Sequence, residues 1–132
     1  MTDIYTKLHG TTTDRFKIGL KNQRVTLSGV TSNTATAELL DRDSLKYTVE
    51  STVFFTAYII GQGVNVAAYE IKGCYLQGTA TISGYVTNTY VDTADFIEPT
   101  INFNSLGEMT VTCTGADTDN INWTAVIDFV SI

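Results

Sequence analysis

Covalent chemistry on a protein needs a nucleophile, an acid–base pair or a set of metal ligands, and this sequence is sparing with all three. His9 is the single histidine, and it stands before Gly10 in a polar stretch with no sustained period. A serine or cysteine triad needs a histidine held rigidly beside its nucleophile. Zinc and iron sites draw on several histidines or cysteines. His9 therefore reads as a solvated side chain. Cys74 and Cys113 fall on separate candidate strands, outside any C-x-x-C or finger-like spacing. They read as buried thiols of a protein assembled in a reducing cytosol, although the sequence leaves their pairing open.

Carboxylates are plentiful but poorly placed. A glycosidase needs two acids across a cleft, whereas Asp92, Asp95 and Glu98 lie in a connecting stretch and Glu50 and Glu70 on outer strand faces. Asp117-Thr118-Asp119-Asn120 gathers the oxygens a hard cation wants but lacks the twelve-residue EF-hand pattern and its closing glutamate. A hairpin turn that uses Asp and Asn for their backbone hydrogen bonds is the expectation there. Gly61-Gln62-Gly63 superficially has the look of a phosphate loop, yet a strand follows it, so no helix amino terminus is at hand to hold an anion. No catalytic residue, cofactor site or metal site emerges, and the chain is expected to have no enzymatic activity.

The elements that position these residues are strands. The chain has 132 residues, 43% of them hydrophobic and 17% charged, which suits one packed domain and makes two improbable. One proline, ten glycines and roughly two dozen threonines favour β-structure, because Thr, Val, Ile, Tyr and Phe suit a pleated surface better than a helix. No apolar run approaches the ~20 residues of a membrane span. Met1–Leu8 lacks the basic start and apolar stretch of a secretory signal. A soluble protein that is not exported is expected.

Residues 1–15 read as an extended arm, with residues 16–132 as one β-sandwich domain. Within the domain, Arg24–Val30 places Val25 and Leu27 on one face. Thr34–Leu40 is the one plausible helical turn, stopped by Asp41-Arg42-Asp43. Lys46–Ile60 alternates most clearly, with Tyr47, Val49, Val53, Phe55, Ala57 and Ile59 on one face and Lys46, Thr48, Glu50, Thr52 and Thr56 on the other, and with a bend at Ser51. Phe54 and Tyr58 break that rule: they fall on the polar face, as an exposed contact patch or as a sign that this face is also partly covered. Val64–Leu76 returns across Gly61-Gln62-Gly63 as an antiparallel partner. Strands are further expected at Thr79–Val86, Thr100–Phe103, Met109–Thr114 and Ile121–Val130, with a long connection over Asn88–Pro99. Short antiparallel strands with almost no helix imply an all-β sandwich or a jelly-roll-like small barrel.

Charge is lopsided. The formal net charge is −6, which argues against a nucleic-acid groove. Lys7, Arg15, Lys17, Lys21 and Arg24 oppose only Asp3 and Asp14 in the first 24 residues, and no Lys or Arg follows Lys72. A mildly basic segment thus precedes an acidic body, as either chance clustering or an arm made to dock on an acidic partner.

The stretches Ala68-Tyr69-Glu70-Ile71-Lys72-Gly73, Met109-Thr110-Val111-Thr112-Cys113-Thr114-Gly115 and Ile121-Asn122-Trp123-Thr124-Ala125 resemble a small β domain that recurs in structural proteins of tailed bacteriophages. The resemblance spans roughly residues 53–130 and departs from the common pattern at Ala57–Gly63, where an arginine-containing turn is usual. It implies a β-sandwich, a virion role and no catalysis. Of virion roles, a capsid decoration (cement) protein fits a chain this short, which starts at its own methionine and leaves no room for both a tail-attachment domain and a receptor-binding head. Such a protein would be assembled in the host cytoplasm and sit on the capsid exterior, bound to the major capsid protein, with neither nucleic acid nor membrane as partner. A homotrimer suits threefold sites and enlarges a modest core. In that scheme Arg15, Lys17, Lys21 and Arg24 meet acidic shell surface while Ile4, Tyr5, Leu8 and Phe16 are buried against it, since exposed ion pairs alone contribute little. The alternative is a tail-fibre or receptor-binding module that recognises the host surface through Asn88–Asp95 or Asp117–Asn120.

Overall fold

A computed structural model describes residues 22–131. The expected arm and residues 16–21 lie outside them. Eight strands form: β1 (Asn22–Ser32), β2 (Thr36–Leu39), β3 (Val53–Gln62), β4 (Val66–Tyr75), β5 (Ile82–Asp92), β6 (Thr100–Phe103), β7 (Met109–Thr114) and β8 (Asn120–Ser131). They make two antiparallel sheets, one of five strands in the order β1-β8-β3-β4-β5 and one of three in the order β2-β7-β6. The described residues are all-β, and the two sheets pack face to face as a sandwich.

Alternation in the sequence decides which face is buried. Val25 and Leu27, Val53 through Ile59 in steps of two, Ala67, Tyr69, Ile71 and Tyr75, and the odd-numbered positions from Ile121 to Phe129 all point into the core. Leu39, Ile101, Phe103, Met109, Val111 and Cys113 meet them from the smaller sheet. Tyr75 stacks on Phe103 at 4.3 Å, and Phe55 meets the same ring at 5.7 Å, so aromatic contacts join the two layers. At one corner the sheets are also tied by reciprocal backbone bonds between Ser28 and Leu40 (2.8 and 3.0 Å).

Four expectations need correction. Thr34–Leu40 contains strand β2, not a helical turn: its four strand residues pair with Thr114–Val111 of β7, and that pairing outweighs the helix propensity of Ala, Glu and Leu. The stretch Lys46–Ile60 is not one strand. Tyr47 and Thr48 serve the smaller sheet, through Met109 N–H to the Tyr47 carbonyl (2.9 Å) and a bridge between Thr48 and Glu108, and β3 starts only at Val53. Thr48 is consequently buried, although its phase placed it outside. Strand β5 runs on to Asp92, through what read as connection. Finally, the stretch Gly115–Asn120, with its expected turn at Asp117–Asn120, is no hairpin, because β7 and β8 belong to different sheets.

Trp123 is the largest fully buried side chain of the core. Its neighbours across both adjoining strands are glycines, Gly29 on β1 and Gly61 on β3. A Cβ on Gly61 would stand 2.6–2.8 Å from three carbons of the indole ring, so only a bare backbone lets the ring lie there. The indole Nε1–H donates to Thr31 Oγ1 at 2.9 Å, in a site where both residues are buried. Phe96 closes the ring with an edge contact at 5.7 Å. Replacing Thr31 with Val keeps the shape and removes the acceptor; stability in urea should fall by ~1–3 kcal/mol with an unchanged m-value, the cost of a buried donor left unpaired. Gly61→Ala should cost about 1–3 kcal/mol by overpacking, measured in the same way.

Candidate functional site

The sandwich has two outer faces of opposite character. On the three-stranded sheet the outward positions are Thr36, Glu38, Thr100, Asn102, Thr110, Thr112 and Thr114, cross-strand neighbours in register, and Thr36 and Thr114 share a hydroxyl bond of 3.0 Å. This is a solvated face. On the five-stranded sheet the same outward phase carries Phe54 (55% exposed), Tyr58 (44%) and Ile60 (55%) on β3, with Val130 on β8 and Val86, Tyr90 and Val91 on β5 also exposed. Phe54 lies opposite Val130 on one side and Cys74 on the other. Tyr58 lies between Val126 and Glu70, and Ile60 beside Ala68, which itself faces Val91. Apolar side chains thus recur across four strands, in the rows Val130–Phe54–Cys74 and Ile60–Ala68–Val91, with Asp128, Thr56 and Lys72 in the row between Phe54 and Tyr58.

The charges on this face neutralise one another. Arg24 Nε and Nη2 donate to the two carboxylate oxygens of Asp128 at 2.6 and 3.0 Å. Glu70 lies 3.7 Å from Lys72 Nζ and accepts from Asn88 Nδ2 (3.3 Å) and the Tyr90 hydroxyl (3.4 Å). The hydrogen bonds from Arg24 hold Asp128 below the usual carboxylate range and raise Arg24 in turn. Beside Phe54 lies a depression of about 260 Å³, lined by Thr56, Lys72, Gly73, Cys74, Ser83 and Gly84, where a Cβ on Gly84 would meet open space.

Of the residues expected to bind a partner, Ile4, Tyr5, Leu8, Arg15, Phe16, Lys17 and Lys21 lie outside the described residues. Arg24 is exposed on β1 and engaged with Asp128. The structure brings Phe54 and Tyr58 together with Ile60, Val86, Tyr90, Val91 and Val130, which sequence reasoning passed over. Their signal was in the sequence: Ile60 shares the strand phase of Phe54 and Tyr58, and Val130 shares a phase with Asn122 and Thr124 on β8.

The carboxylates weighed as acids or cation ligands have structural partners. Asp92 accepts from Phe96 N (2.9 Å) and from the Tyr69 hydroxyl (3.4 Å), and burial pushes the Tyr69 phenol up. Asp119 is buried and accepts from Val64 N (3.0 Å), Asn65 N (2.9 Å) and Asn65 Nδ2 (3.2 Å). The glycine-flanked loop thus does hold an anion through its backbone N–H groups, but the anion is the protein's own side chain. Gly63 permits the approach, since a Cβ there would stand 2.7 Å from Asp119 Oδ1 and 2.6 Å from the Asn120 carbonyl. Among the described residues no group of three or more His, Cys, Asp or Glu side chains is placed to hold a metal. Both thiols are free: Cys74 sits on the outer face of β4 and Cys113 in the core on β7.

No protein-family model and no curated protein matches the chain. Among solved structures it is similar to the tailspike protein of Acinetobacter phage vB_ApiP_P1, at 10% identity and a TM-score of 0.36, over 83% of this chain and 21% of the tailspike. The chain spans about a fifth of that protein's length, and the likeness is too slight to carry a role across.

Hydrogen bonds from Asn65 and Val64 hold the Asp119 carboxyl below its ordinary 3.8. A depressed folded value means that its contribution is present above about pH 4 and is lost as pH falls through the folded value. Asp119→Asn should therefore melt several degrees lower at neutral pH and lose less on acidification than the parent, measured by thermal melts from pH 7 to 2. Burial also raises the Cys113 thiol to about 12, leaving it un-ionised near neutrality. In a Cys74→Ser background, a thiol reagent at pH 8 should label nothing until denaturant is added.

Proposed function

We propose that the protein is a non-enzymatic structural protein of a bacteriophage virion, and specifically a decoration protein on the capsid exterior that binds and stabilises the major capsid shell. The observation that carries this reading is the broad apolar outer face of the five-stranded sheet, on which the charged groups are already paired. Exposed faces of this kind mark contact with other macromolecules. The likeness of residues 53–130 to phage structural domains supplies the virion context.

Charge separates the two regions that would make contacts. Of the 14 Asp and Glu in the chain, all but Asp3 and Asp14 lie in the described body, whereas residues 1–21 hold four of the 8 Lys and Arg. Docking on an acidic shell is accordingly assigned to the amino-terminal segment, with Arg15, Lys17 and Lys21 supplying charge and Ile4, Tyr5, Leu8 and Phe16 supplying apolar contact. Arg24 contributes as half of an ion pair, because Asp128 already takes the Nε–Nη2 edge of its guanidinium. Repeated weak contacts within a homo-oligomer would add up to firm attachment.

Deleting residues 1–15 should leave the body folded, with an unchanged melting temperature, and abolish binding to expanded shells in a co-sedimentation assay. Undiminished occupancy would overturn the docking role. Image reconstruction of the intact particle should place the chain on the shell in hundreds of copies; a few copies at the tail would point instead to the fibre reading.

A further inference from the structure

We infer that the outer face of the five-stranded sheet is where copies of this protein meet, each packing its Phe54–Tyr58–Ile60 stripe against the same face of another. This deepens the oligomer part of the proposed function by making the contact isologous, so that its unit is a twofold pair, and rests on reading the protein as one that acts by contact.

Area is the first reason. Taking about 200 Å² for a fully exposed aromatic side chain, the exposed parts of Phe54, Tyr58, Ile60, Val86, Tyr90 and Val130 amount to on the order of 600 Å². A stable interface buries about 800 Å² per partner, so a rim of neighbouring polar residues completes the requirement. The second reason is charge. The body is strongly acidic, and two copies repel each other over most of their surfaces. On this face Arg24 neutralises Asp128 and Lys72 neutralises Glu70, so it is a place where two such molecules can approach without opposing net charge. A basic partner would find its complement elsewhere on the body.

The third reason is shape. One patch that meets itself must supply both the projection and the recess. Here the Phe54 ring stands at the rim of the depression over Gly73 and Gly84. Pairing along the edge of β5 is a competing geometry, and β5 departs from regular register against β4 near Ala68/Tyr69 and Lys72/Cys74. Such bulges oppose strand addition. Face-to-face packing is favoured over strand addition at β5.

The test is sedimentation equilibrium of the full chain across a wide concentration range. Wild type should associate, and Phe54→Glu combined with Tyr58→Glu should weaken association by roughly a hundredfold or more, because like charges would face each other across a dry contact. Thr112→Glu on the opposite face should leave it unchanged. Labelling of Cys74, the register neighbour of Phe54 on this face, should slow as wild-type concentration rises, and this readout stands even if the double variant fails to fold. A monomer at every concentration overturns the inference. So does association that survives the folded double variant, labelling of Cys74 that ignores concentration, or loss of association on deleting residues 1–21 alone, which would make that segment the contact. Shell binding is scored separately on particles, so a failed self-association and a failed virion role are told apart.

Discussion

The sandwich depends on one steric constraint, the accommodation of Trp123. An indole is too wide for an interior sheet position flanked by ordinary side chains, and the strand order places β8 between β1 and β3, each of which offers a glycine at the matching register position. Gly61 is therefore the complement of the ring, and a slip of one residue in the β3–β8 pairing would set a side chain against it, whereas Gly29 makes room for Leu39, whose Cδ2 would stand 2.8 Å from a Cβ there. The Thr31 hydroxyl then satisfies the one polar atom that the ring carries into the core. With the ring fixed, Phe96 has a surface to close on, and the connection from β5 to β6 is pinned over the same spot. Register, core volume and loop placement follow from a single large side chain.

Asp119 fixes the loops at the end of the sandwich nearest Trp123. The link from β7 to β8 changes sheets, and the β3–β4 loop turns at the same end of the sandwich. A buried carboxylate would be costly there without donors. Two backbone N–H groups and one side-chain amide supply them, so the two loops hold each other. The same loop resembled a phosphate cradle in one respect that mattered, the presence of convergent N–H groups, and differed in its occupant. Local motif reasoning identifies the capacity of such a loop, whereas only the fold shows that the capacity is already used.

How much of this was legible can be judged strand by strand. The inward positions of β3, β4, β7 and β8 were readable because alternation with a period of two is strong where one face is buried and the other wet. Edge strands lose that signal: β5 is exposed at most positions on both faces, and its second half read as connection. Strand β2 was missed because four residues cannot show a period, and their pairing with β7 is a long-range event that local propensity does not report. The supposed hairpin at Gly115–Asn120 failed for a related reason, since turn chemistry announces a reversal without saying which sheet the chain enters next. Within the contact face, Phe54 and Tyr58 stood out as aromatics in a polar phase, whereas the valines of β5 and β8 needed the sheet order before they could be seen to adjoin them.

The contrast between the two outer faces bears on why the apolar one exists. Threonine and asparagine on the smaller sheet show that this protein can build a stable outward strand face from polar residues of good β propensity. The larger sheet has the same need for β-formers on its outer side, and Thr26, Thr56 and Thr124 occupy several of its positions. Phenylalanine, tyrosine and isoleucine along the central strand β3 are therefore not demanded by strand formation. They also bring the aggregation hazard that exposed apolar strands carry. Placing them at the centre of the widest sheet, among charges that cancel in pairs, keeps that hazard to one face. For the self-association proposed above, such an arrangement would give an acidic body that approaches a second copy most readily across this face.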